Sequence, residues 1–327
     1  MSAISETYWQ AGIESTPGTP VAADRIIYAL GPVPKESRPK EYVRQSRASY
    51  AENFEAVETH RLVESWPMNL PAVSFDDIIW WMQLAARGGV AGVGTDPYTW
   101  TFQGAESADD LDTATFEVAD DVGAFELNYA MCKNWQITGK GGNNSAGVIQ
   151  AQFNMMAQKL TPGITMTGAL SHRNLDGSYM AFKNTAVYLD DTAGAIGSTE
   201  LQAALLEFSL KMDNKIVPVF PGNSSGVFAT HRRDKRYLEL MLVLLFNSDT
   251  YTEFQTYFQA NDNRYLELVN TGSGDDSFTL RAHTKFETFE FPEDGPTRKV
   301  ALLGRSIYDP TLGYDWWMQI QNNVASI

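Results

Sequence analysis

Met131-Cys-Lys-Asn-Trp-Gln-Ile-Thr-Gly139, followed beyond a glycine- and asparagine-rich turn by Val148-Ile-Gln-Ala-Gln-Phe-Asn-Met-Met-Ala157, is the stretch on which the fold turns. Apolar and polar residues alternate from Asn134 to Thr138 and from Ile149 to Met155, so one face of each is apolar and the other polar. That two-residue period belongs to antiparallel strands with one buried face. The same period recurs outward in both directions, in short runs separated by Gly, Asp, Asn or Pro. Towards the N-terminus it marks Arg25 to Leu30, Thr59 to Asn69, Tyr98 to Phe102 and Ala114 to Val118. Towards the C-terminus it marks Tyr179 to Leu189, Leu201 to Met212, Tyr237 to Phe246, Tyr265 to Val269, Ser277 to His283, Lys285 to Phe291, Arg298 to Ile307 and Trp316 to Gln321.

Two segments depart from it. Ser74 to Ala86 sets Ile78, Ile79, Met82, Ala85 and Ala86 at helical spacing, with Ser74 and Asp77 spaced as a capping box and Gly88-Gly89 as a stop. Ser248 to Ala260 brings Tyr251, Phe254, Tyr257 and Phe258 to one face, with Thr250 and Glu253 in capping-box spacing. The strand around Val63 precedes the first cap and the strand around Tyr237 the second, and both offsets, 63 to 237 and 74 to 248, are 174 residues. This spacing reads as an internal duplication of element order, or as chance spacing in a strand-rich chain. The expected fold is mainly β: two tandem β-sandwich or barrel domains, residues 1–168 and 169–327, each with one flanking α-helix. The boundary falls among Pro162, Gly163, Gly168, Asn174 and Gly177.

Gly31 to Glu58 stands apart. It carries Pro32, Pro34 and Pro39, then basic Lys35, Arg38, Lys40, Arg44 and Arg47, then acidic Glu52, Glu55 and Glu58. It reads as an arm that grips a neighbour, its basic and acidic parts pairing between stacked copies, or as a disordered insertion.

Composition narrows the chemistry. The 327 residues hold 40 acidic and 25 basic side chains, a formal charge of -15, which argues against a surface built to neutralise phosphates. Cys132 is the only cysteine, so neither an internal disulfide nor a thiolate metal cluster is expected. No apolar run is long enough for a membrane span, and Met1 to Gln10 lacks a signal-peptide pattern. Gly222-Asn-Ser224-Ser-Gly226 has the spacing of a nucleophile elbow, but Pro218 and Pro221 precede it and no helix pattern follows, so a hairpin turn explains the same letters. Lys140 between Gly139 and Gly142 reads as a turn. His60, His172, His231 and His283 are scattered without ligand spacing, and the paired aspartates sit at turns. No catalysis and no cofactor are expected. The run His231-Arg232-Arg233-Asp-Lys235-Arg236 reads as a subunit-interface rim, with Arg232, Arg233 and Lys235 its candidates. Trp80-Trp81 and Trp316-Trp317 each place one ring in a core and one at an interface, Trp317 being the interface candidate.

Several stretches resemble the tail tube, or major tail, proteins of long non-contractile-tailed phages. They are Glu6-Thr-Tyr-Trp9 with Glu14-Ser-Thr-Pro-Gly-Thr-Pro20, Phe116 to Leu127, Asn134 to Gly139, and Tyr314-Asp-Trp-Trp-Met-Gln-Ile320. The likeness is one of texture and order through most of the chain. It implies a β-sandwich whose inner sheet joins those of its neighbours around a channel for DNA. Single-domain members form hexameric rings, so a two-domain chain implies homotrimeric rings of six similar domains, stacked into a tube. It also implies a tape measure protein and DNA in the lumen, tail terminator and tail tip proteins as partners, no membrane, and a place in the virion tail after synthesis in the host cytoplasm. An acidic lining would keep DNA from sticking, and Glu287 and Glu290 are the lumen candidates. The alternatives are a tail terminator or capsid-decorating protein, a glycan-binding or glycan-cleaving β-sandwich, and a hydrolase using Ser224.

Overall fold

The computed structural model describes residues 7–44, 53–104, 111–141, 147–170, 179–202, 204–222, 225–291 and 298–327, with 43, 44, 53 and 54 as backbone alone. The alternating segments form antiparallel strands. The first half holds β1 (Tyr8–Ile13), β2 (Arg25–Ile26), β3 (Lys40–Arg44), β4 (Asn53–Glu58), β5 (Val63–Leu70), helix α1 (Asp77–Ala85), β6 (Tyr98–Gln103), β7 (Ala114–Ala119), β8 (Ala124–Lys140), β9 (Gln150–Ala157) and β10 (Lys159–Pro162). The second holds β11 (Thr185–Asp190), β12 (Leu205–Asp213), β13 (Val217–Val219), β14 (Thr230–Arg232), β15 (Leu238–Leu245), helix α2 (Ser248–Thr252, continued as a π-helix over Glu253–Phe258), β16 (Arg264–Thr271), β17 (Ser277–Glu290), β18 (Lys299–Ser306) and β19 (Trp316–Asn322).

Pairing repeats between the halves. The order β7-β8-β9-β5 recurs as β16-β17-β18-β15. β1 flanks β7 as β11 flanks β16, and β10 lies on the start of β8 as β19 lies on the start of β17. A hairpin precedes β5 (β3–β4) and another precedes β15 (β13–β14). β12 pairs with β15 on one side and with the end of β8 on the other, fusing the halves into one open sheet. β6 of the first half pairs with β19 of the second. The sheet does not close into a barrel.

Long strands that serve two sheets need a bend. β8 pairs with β7 and β10 near its start and with β12 and β9 near its end, and its ladders carry bulges at Ala114/Phe116 and Cys132/Asn134. At the switch Tyr129 takes φ 52°, a left-handed conformation unfavourable for a bulky residue. Its N–H is held by buried Glu14 Oε1 at 2.8 Å, so the surroundings impose the bend.

The apolar half of each alternation builds one large core. Trp66, Phe116, Trp135, Phe153, Leu240 and Leu302 belong to it, and α1 lies within it, with Trp81 stacked on Phe153 at 4.8 Å between ring centres. Trp80 and Trp81 are both buried, so neither is an interface ring; a helix enclosed on all sides buries adjacent residues alike. In the other pair Trp316 is buried and Trp317 half-buried.

Further expectations are corrected. The segments Ser277 to His283 and Lys285 to Phe291 form one strand, and the strand of Met131 begins at Ala124, because residues 282–284 and 127–132 are covered on both faces and lose the alternation without ending the strand. Lys140 ends β8 and is no turn. The first helix starts at Asp77 after Asp76, which makes no side-chain cap bond; Ser74 Oγ accepts from the Asp76 N–H instead, at 3.2 Å. The second capping box is Asn247 with Thr250, one turn earlier than its spacing implied. β1, β10 and the hairpin strands were too short or too mixed in pattern to read.

Candidate functional site

One face of the fused sheet packs on the core; the other faces outward, and there the polar half of the alternation forms rows. One row crosses seven strands: Asn69, Gln152, Gln136, Lys211, Glu239, Arg305 and Lys285. A second runs Pro67, Asn154, Asn134, Asp213, and a third Gln150, Thr138, Ser209, Met241, Leu303, Thr288.

The first-half part of this face is a ladder of side-chain amides. Gln152 Nε2 donates to Asn69 Oδ1 at 2.8 Å, Asn154 Nδ2 to Asn134 Oδ1 at 2.6 Å, and Gln136 Nε2 to Ser209 Oγ at 2.9 Å across the joint between the halves. The charges that follow are paired: Lys140 with Glu207 at 2.8 Å, Lys211 with Glu239 at 3.5 Å, Arg305 with Glu287 at 3.4 Å. Exposed pairs like these add little stability, but they set the field above the surface. A polyanion passing over this face meets neutral amides, cations answered by carboxylates, and at the end of the first row Lys285, whose ammonium donates to the Asn261 carbonyl. Glu287 and Glu290 are both exposed on β17, Glu287 in its pair with Arg305.

The two hairpins lie side by side. The Arg61 N–H donates to the Gly226 carbonyl at 2.7 Å, and His60 rests against Phe220 with 4.7 Å between ring centres. On β3–β4, Tyr42 and Val57 are 57% and 50% exposed; on and beside β13, Val217, Val219 and Phe220 are exposed too. A two-stranded ribbon bare on both faces is marginal alone and gains most from a partner. Lys40 stands opposite Glu58 within the hairpin, and Glu55 is exposed on the same strand. Arg61 bonds Glu58 and holds that carboxyl below its ordinary range. Lys35 is exposed and Arg38 pairs with Glu36 at 2.5 Å. Arg44 is described as backbone in β3, while Arg47 and Glu52 lie outside the described residues.

The basic run that begins in β14 sends Arg233 and Arg236 into the chain's own joint. Arg233 and Arg236 donate to Asn214 Oδ1 at 3.3 and 3.1 Å, and Arg236 also reaches the Ala86 carbonyl. Arg232 and Lys235 are exposed. Trp317 lies under the Arg281 guanidinium at 5.1 Å.

Buried polar clusters elsewhere are built for folding. Glu14 accepts from Gly18, Thr113, Thr115 and Tyr129. Asp309 accepts from the Tyr265 hydroxyl at 2.6 Å and from the Thr311 and Leu312 N–H groups, with His283 stacked on Tyr265. The Tyr265 bond keeps Asp309 below the usual carboxylate range, and burial lowers His283. Burial and then the bond to Asp309 push Tyr265 up to about 12. Among the described residues no group of three or more His, Cys, Asp or Glu is placed to hold a metal ion, and no helix is long and apolar enough to cross a membrane. Ser224 and His172 lie outside the described residues, and His231 Nδ1 sits 3.4 Å from the Tyr129 hydroxyl.

Sequence reading missed the amide rows. Their signal was present, in Asn134, Gln136 and Thr138 and in Gln150, Gln152 and Asn154 at every second position. No protein-family model matches the chain, and no curated protein matches it.

Proposed function

We propose that the chain is a structural subunit of a phage tail tube, polymerising into stacked rings around a conduit for DNA. One observation carries this reading: two repeats already fuse edge to edge through β12 and β8, into a sheet that remains open. An open edge invites another strand, and a head-to-tail contact that repeats with rotation closes into a ring. Three copies give six repeats per ring. The amide and paired-charge face lines the channel, where an unanswered row of Lys or Arg would hold the phosphate backbone by counterion release. The bare hairpins make the contact between rings. A tape measure protein occupies the lumen before DNA, and terminator and tip proteins close the ends.

Negative-stain microscopy of concentrated protein tests the reading. Hollow filaments of uniform width are expected, and compact single particles at every concentration would overturn it. On such filaments Glu207→Lys with Glu239→Lys leaves unpaired cations on the face, so DNA release slows at low salt and recovers as salt rises.

A further inference from the structure

The second half bears a surface that the first half keeps covered. Phe246, Tyr251, Phe254, Phe258, Phe289 and Phe291 form a connected patch on and beside α2, with neighbouring ring centres 4.6–6.2 Å apart. Tyr251 is 48% and Phe291 53% exposed, and Phe254, Phe258 and Phe289 are half-buried. The patch stands at the end of the fused sheet, where β17 pairs with β18.

The chain displays what covers the corresponding place in its first half. There α1 is buried, and second-half residues close over it: Asn214 Nδ2 donates to the Ala85 carbonyl at 2.8 Å, Arg236 Nη1 to the Ala86 carbonyl at 3.1 Å, and Asn322 Nδ2 to the Phe75 carbonyl at 2.8 Å. Beside them β12 zips onto β8.

The register says which first-half residues hold the same stations. Leu30 lies opposite Asn69 on β5 as Leu205 lies opposite Leu244 on β15; both offsets are 175. Ser37 lies opposite Leu62, so with the one-residue bulge after Leu205 it stands where Asp213 stands. Arg38 therefore takes the station of Asn214, and Arg61 that of Arg236. β10 holds the station of β19, the strand that carries Asn322 at its end.

We propose that the aromatic patch of α2 and β17 docks the first half of a second copy of this chain, through residues 31–38, Arg61 and β10. The contact reproduces between copies the joint that already exists within one. Charge agrees: Asp249, Asp262, Glu287 and Glu290 are exposed around the patch, while Lys35, Arg38 and Lys40 are exposed around the docking surface. Arg38 and Arg61 exchange part of their bonding to Glu36 and Glu58 for the carbonyls at the end of α2. The proposal rests on the reading of the chain as a self-assembling subunit and adds which surfaces meet.

Because the contact is heterologous, a mixing experiment tests it. One variant, Tyr251→Asp with Phe291→Asp, spoils the patch and keeps the first-half surface. The other, Arg38→Glu with Arg61→Glu, does the reverse. Each alone should begin to assemble only at about a hundredfold higher concentration than the unaltered chain, as expected when central aromatic or arginine anchors are lost. Mixed, they should form a one-to-one dimer by analytical ultracentrifugation, since one intact contact remains. A patch variant that assembles like the unaltered chain overturns the docking proposal and leaves the tube reading standing. An unaltered chain that never assembles overturns both. Should the variants lose their folded circular-dichroism signal, a Gln255→Cys, Arg38→Cys chain takes their place. In assembled particles, a bismaleimide should join its copies into ladders, and single chains alone would overturn the proposal.

Discussion

Helix α1 and helix α2 hold corresponding positions in the two repeats and meet opposite fates. α1 is buried from Ile78 to Ala85, Gln83 included, and sits inside the core, with the carbonyls at its C-terminal end capped by Asn214 and Arg236 of the other repeat. α2 buries little beyond Thr250 and Glu253, and it turns a row of aromatic rings half outward. The difference teaches that one surface of this fold requires a neighbouring repeat to complete it. The first half finds that neighbour in its own chain.

The largest expected effect sharpens this contrast. Trp81→Ala should lower unfolding free energy by about 3–5 kcal/mol in urea titration, because it empties a closed site against Phe153. Phe254→Ala in the unassembled subunit should cost less than half as much; equal losses would break the comparison. Next comes the joint. Asn214 is fully buried, donates to Ala85 and Cys132 and accepts from Arg233 and Arg236, so Asn214→Ala should cost about 2–3 kcal/mol by leaving buried carbonyls unanswered. A loss within measurement error would mean that the halves do not lean on each other there.

The smallest effect concerns the polar lock of the second repeat. Tyr265 holds Asp309, and its hydroxyl is raised to about 12 in the fold against about 10 in an unfolded chain. A raised value means stability that is whole below about pH 10 and fades as pH climbs towards 12. The advantage over Tyr265→Phe, about 1 kcal/mol at neutral pH, should therefore shrink across that window in urea midpoints. An advantage constant through pH 12 would show that the hydroxyl does not titrate as described.

Much of the fold was legible because burial imposes a period on strands. Trp135 and Ile137, Phe153 and Met155, Leu240 and Leu242 declare their faces without any neighbour being known. The interruptions were not legible. One strand looked like two at Thr284, because Ala282, His283 and Thr284 are buried in succession where β17 passes from β16 and β19 to β18, and a strand covered on both faces loses its alternation. Of the candidate site, the Gly31 to Glu58 segment could be singled out by its prolines and segregated charge. The amide ladder was legible only as polar residues at every second position of β8 and β9; that Gln152 bonds Asn69 of β5 and Asn154 bonds Asn134 required the register.

The sequence by itself determined a mainly β chain, the positions of its two helices and the alternation that sorts core from surface. Each follows from short-range constraints, in which neighbouring side chains along a strand or helix must share or divide a face. Only the tertiary structure decided that β12 crosses to β8, that Arg233 and Arg236 bind within the chain, and that one helix is enclosed while the other is left with its rings outward. Those outcomes depend on which distant segments meet, and local periodicity carries no information about that choice.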